Sequence, residues 1–86
     1  MRLTNKSGPF DDNIYLRGKY KKFECNICYD NTRKRWYYYI DSKDERDIRY
    51  NSLWDKISYN TQLGCVTACQ KYIDTLLKTE KERRTT

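Results

Sequence analysis

The chain contains no histidine. That absence excludes Ser–His–Asp and Cys–His catalysis, both of which need an imidazole as the base. No apolar run approaches the ~20 residues that span a bilayer, so the chain does not read as an integral membrane protein. No apolar run follows Met1-Arg2-Leu3-Thr4-Asn5-Lys6 that would serve as a signal peptide. The expectation is therefore a reducing, cytoplasmic setting. Internal repeats and low-complexity tracts are also missing. Hydrophobic residues make up only 37% of the chain, and nine of them are tyrosines. Eighty-six residues form one domain at most, and a domain this small usually needs a staple such as disulfides, a metal or a partner subunit.

What is present begins with four cysteines in two pairs, Cys25-Asn26-Ile27-Cys28 and Cys65-Val66-Thr67-Ala68-Cys69. In a reducing compartment, paired cysteines more often hold metal than form disulfides. The first reading is one structural zinc with Cys25, Cys28, Cys65 and Cys69 as ligands. Two disulfides, or free structural thiols, are the alternatives. Four thiolates fill a tetrahedral zinc and leave no open position for hydrolysis. A redox role for the first pair lacks the βαβ pattern of a thioredoxin-like fold. Asp44 and Asp47 are a carboxylate pair that nothing marks out. The expectation is that the protein is not an enzyme.

The net charge is +6 and uneven. Residues 1–40 carry nine Lys/Arg against four Asp/Glu (+5), and residues 41–86 carry nine against eight (+1). A basic half attracts polyanions, nucleic acid most commonly, although the same charge also serves plain solubility.

Residues 1–13 read as a loosely ordered segment broken by Gly8-Pro9, with Leu3 and Phe10 as candidate contacts to the body. Ile14-Tyr15-Leu16 suggests a short strand. Arg33 to Ile40 carries the strongest strand signal, with Trp36, Tyr38 and Ile40 on one face and Tyr37 and Tyr39 on the other. Asp41 to Asp47 reads as a charged turn, and about 51–58 as a short helix. Gly64 permits close backbone approach before the second cysteine pair. Val66, Cys69, Ile73, Leu76 and Leu77 recur at helical steps and define a C-terminal helix. Residues 78–86 form a charged tail. The domain proper is thus 14–77.

A Cys-x-x-Cys knuckle, a strand-containing insert and a second pair opening a helix resemble a treble-clef zinc finger over residues 23–77. Phe23-Glu24-Cys25-Asn26-Ile27-Cys28-Tyr29-Asp30 is similar to the opening of treble-clef and RING-type fingers. The resemblance implies a small α+β, zinc-stapled domain, with a β-hairpin or knuckle followed by a C-terminal helix. The second pair has three intervening residues where such fingers commonly have two. RING domains need eight ligands, so a ubiquitin-ligase reading fails. Phage-encoded zinc modules related to HNH nucleases have a similar basic-aromatic lead, but their activity rests on histidines absent here.

Three functions compete. The first is nucleic-acid binding, with single strands or RNA favoured because no long basic recognition helix is visible. Its candidate contacts are Arg17, Lys19, Tyr20, Lys21 and Lys22 before the first pair, and Arg33, Lys34, Arg35 and Tyr37 after it. A hairpin would lay these clusters side by side. Cations reach phosphates and aromatic faces stack bases, although Tyr20 and Tyr37, like Trp36, Tyr38 and Trp54, also suit simple packing. The second is an adaptor or inhibitor acting on a nucleic-acid machine such as a polymerase or defence nuclease. The Lys-, Asn-, Tyr- and Ile-rich composition suits a low-GC bacterial, phage or viral source, and then a host cytoplasm. The third is a secreted disulfide-stapled toxin.

Overall fold

The computed structural model describes residues 1–10, 12–42 and 48–84, the side chains of 80–84 aside. The protein is a small α+β domain. Strands Thr4–Asn5 (β1), Ile14–Tyr20 (β2), Phe23–Asp30 (β3), Arg35–Ser42 (β4) and Arg49–Asn51 (β5) form one antiparallel sheet in sequence order, and helix Gln62–Arg84 (α1) ends the chain.

Local chemistry sets the turns. Lys21 and Lys22 both take positive φ, 48° and 71°, which is the twist a two-residue hairpin requires. Asp30 turns β3 into β4: its Oδ1 accepts the Thr32 N–H at 2.9 Å, and its carbonyl accepts the Lys34 N–H at 2.8 Å. β3 pairs without interruption on both sides, Tyr20 with Phe23 through Ile14 with Tyr29, and Phe23 with Ser42 through Asp30 with Arg35.

That regularity corrects the expected knuckle. Cys25-Asn26-Ile27-Cys28 contains no glycine or proline, and its one turn former, Asn26, is paired within the strand. Phe23, Cys25 and Ile27 alternate into the core, and their burial holds the segment extended. The short helix expected over 51–58 is a single 3-10 turn, Ser52–Asp55, capped by the Asn51 side chain and ended by left-handed Lys56 (φ 59°). Ser52 is buried there, with its Oγ accepting the Tyr38 N–H at 3.2 Å, while Trp54 is 67% exposed. The apolar residues of 51–58 therefore do not share one face. The strand expected at 14–16 runs on to Tyr20. Asp41 and Ser42, expected in the charged turn, belong to β4, and the rest of that expected turn, 43–47 with Asp44 and Asp47, lies outside the described residues.

Thr61 starts α1: its Oγ1 accepts the Gly64 N–H at 3.0 Å. Cys65, Cys69 and Ile73 follow at four-residue steps and are fully buried against Phe23, Cys25, Ile27, Tyr38 and Ile40. Each buried Phe or Ile contributes about 1.5–3 kcal/mol. Tyrosines extend this core, with Tyr50 stacked on Tyr72 at 4.2 Å and Tyr38 beside Tyr59 at 6.1 Å. Leu3 packs on the same face, whereas Phe10 is 97% exposed. Beyond Leu77 the helix continues to Arg84 through the segment expected as a tail.

Candidate functional site

One helix covers one face of the sheet. The strands alternate, so every second residue points the other way. The register aligns these outward residues in three cross-strand rows. Tyr15, Cys28 and Tyr37 make the first, Arg17, Asn26 and Tyr39 the second, and Lys19, Glu24 and Asp41 the third. Neighbours in a row lie roughly 5 Å apart, and Tyr37 and Tyr39 roughly 7 Å apart along β4. Tyr15 and Tyr39 are each 36% exposed. Arg17 is held in place: its Nε donates to Asn26 Oδ1 at 3.2 Å and pairs with Glu24 Oε1 at 2.8 Å. Asn26 itself is buried.

The β1 edge adds cations that the sequence reading missed. Arg2, Lys6, Arg17 and Lys19 line a groove of about 550 Å³ whose single carboxylate is Glu24. Lys6 reaches this edge because its N–H donates to the Tyr15 carbonyl at 2.7 Å, next to the pairing of Thr4 with Arg17. Nothing local in residues 1–6 announces that pairing.

The other sequence candidates scatter. Tyr20 points to the helix side, and its hydroxyl donates to Asp74 Oδ1 at 3.0 Å. Lys21 Nζ meets the same carboxylate at 2.7 Å. That contact, chiefly, raises the Lys21 pKa and lowers that of Asp74. Both residues fasten the hairpin turn to α1. Lys22 is in that turn, while Arg33 and Lys34 are in the turn at the far end of β3. The two basic clusters are therefore not side by side; an eight-residue strand separates them. Arg35 and Tyr37 stand at the Arg33 end of the open face.

The four cysteines are free thiols and all are buried, but they are not together. Cys25, Cys65 and Cys69 belong to the core between sheet and helix. Cys28 is three residues after Cys25 in an unbroken strand, so it points to the opposite face, beneath the tyrosines. Among the described residues, no group of three or more His, Cys, Asp or Glu side chains is arranged to hold a metal ion. The residues as folded do not fit a zinc site made of all four cysteines. The thiols differ in their surroundings. Burial pushes the Cys28 thiol up to about 11, against a hydrogen bond donated by Tyr37. Burial, and then Cys28, push Cys65 up to about 12. A hydrogen bond from Cys69 holds Cys25 below its ordinary value, and the same bond, with burial, raises Cys69.

No helix among the described residues is long and apolar enough to cross a membrane. No protein family, curated protein or solved structure matches this chain.

Proposed function

We propose that this chain binds single-stranded nucleic acid, DNA or RNA, across the open face of its sheet. The observation that carries the reading is the row pattern: Tyr15 and Tyr37 in one row, and Arg17 and Tyr39 in the next, share a face that the helix leaves uncovered, with Lys19 in the row beyond. Tyrosine rings accept unstacked bases of any sequence, and the cationic groove of Arg2, Lys6, Arg17 and Lys19 tracks the phosphates beside them. Duplex is disfavoured because its bases are already stacked and no helix is offered to a groove. Zinc has no part in this reading.

The test is a salt titration of binding to labelled oligonucleotides. Four phosphate contacts to a single strand give a log–log slope of about −3. Duplex of the same sequence is expected to bind more weakly throughout. A slope near zero, or a preference for duplex, contradicts the reading.

A protein partner is the second reading. Trp54, Ile57 and Leu63 are exposed large apolar side chains around the junction of the 3-10 turn and α1, with Leu63 77% exposed. Tryptophan is among the residues that most often anchor protein interfaces. An adaptor acting on a nucleic-acid machine would engage its partner there, and its binding would depend weakly on salt.

A further inference from the structure

At the end of the sheet away from the hairpin turn, a pocket of about 390 Å³ is lined by Arg33, Arg35, Tyr37, Lys56 and Ser58, with Asp30 its one carboxylate. We infer that Arg33, Arg35 and Lys56 form a seat for a phosphate monoester.

Arg35 is the fixed member. Its Nε donates to Ser58 Oγ at 2.9 Å, its Nη2 to the Ser58 carbonyl at 2.8 Å, and its Nη1 to Asn60 Oδ1. All three acceptors are neutral, so they orient the guanidinium without cancelling its charge. Each terminal nitrogen keeps a second N–H for a ligand, on a planar guanidinium that suits oxyanions. Ser58 Oγ accepts from Arg35, which leaves its own O–H to donate. Asp30 offsets part of this charge: its Oδ1 accepts the Thr32 N–H at 2.9 Å, while its Oδ2 lies 3.8 Å from Arg33 Nε. Lys56 is itself the left-handed residue that ends the 3-10 turn, and it lines the pocket from there. Three cations facing one carboxylate leave an excess of positive charge, which matches a dianion better than a single carboxylate ligand or an internal phosphodiester.

The pocket shares Tyr37 with the open face. A strand lying on Tyr39 and Tyr37 would end here, so its terminal phosphate is one source of the ligand, and a small phosphate ester is the other. The inference deepens the proposed function but does not require it, because the pocket has its own ligand chemistry.

The experiment is an NMR titration of the full chain with inorganic phosphate against chloride at constant ionic strength. It is followed by anisotropy with 5′-phosphorylated, 3′-phosphorylated and unphosphorylated strands of one sequence. Phosphate is expected to shift Arg33, Arg35, Lys56 and Ser58 saturably and to leave Arg17 unchanged. Arg33→Gln and Lys56→Gln each weaken that binding roughly tenfold; Arg35 is avoided because it also holds the 58–60 loop. A roughly tenfold preference for one phosphorylated end, lost in both variants, assigns the seat to a strand terminus. Saturation by phosphate without any end preference assigns it to a small ester. Absence of saturable shifts at these residues overturns the inference, and unphosphorylated strands that still bind would then leave the proposed function standing. Saturable shifts with no oligonucleotide binding would do the reverse.

Discussion

Replacing Tyr15 and Tyr39 together by alanine is expected to weaken single-stranded oligonucleotide binding by about 3 kcal/mol, or roughly a hundredfold. Both rings stand on the uncovered face and are one-third exposed, in rows that also carry Arg17 and Cys28. They are not part of the core between sheet and helix, so the melting temperature should fall only slightly. Arg17→Gln is the companion variant: it should flatten the salt slope by about 0.7, the share of one phosphate on a single strand. The two changes separate stacking from charge. Unchanged affinity in the tyrosine double variant, with the fold intact, would remove the open face from the account.

Cys69→Ser, by contrast, should destabilise the domain by about 1–3 kcal/mol, because it buries a hydroxyl among Phe23, Cys25 and Ile73. A strong chelator should leave the melting temperature of the wild-type protein where it was. The pH dependence carries the same message. The Cys28 and Cys65 thiols have folded values of about 11 and about 12, against an ordinary 9.0. Between those values the unfolded chain loses its thiol protons first. Stability is thus full below pH 9 and declines as pH rises from about 9 towards 11–12. A zinc-held protein does the opposite, since its ligands are already thiolate and are lost by protonation in acid. Thermal melts from pH 5 to pH 11, with and without chelator, read the difference. Unfolding by chelation at neutral pH would contradict the cysteine placement.

The sequence was informative where one element decides its own fate. The alternation in Trp36-Tyr37-Tyr38-Tyr39-Ile40 correctly puts Trp36, Tyr38 and Ile40 on one face of β4 and Tyr37 and Tyr39 on the other. The four-residue steps through Cys69 and Ile73 correctly mark the buried stripe of α1. Cysteine spacing misled about the knuckle for a physical reason. Positions three apart converge in a knuckle but diverge in a strand, and the choice was made by the burial of Phe23, Cys25 and Ile27 rather than by the pair itself. The rest required pairing across the chain. Arg2 and Lys6 matter only because Thr4 sits beside Arg17. Arg35 is oriented by Ser58 and Asn60, more than twenty residues later. Tyr20 and Lys21, read as binding candidates, meet Asp74 on the helix, more than fifty residues away. Such contacts leave no local pattern to read.

The most direct measurement is ultraviolet cross-linking of a single-stranded oligonucleotide to the wild-type protein, with the attached residues identified by mass spectrometry. The account predicts adducts on Tyr15, Tyr37 or Tyr39. Adducts confined to Tyr59, Tyr72 or Trp54, or none at saturating strand, would contradict it.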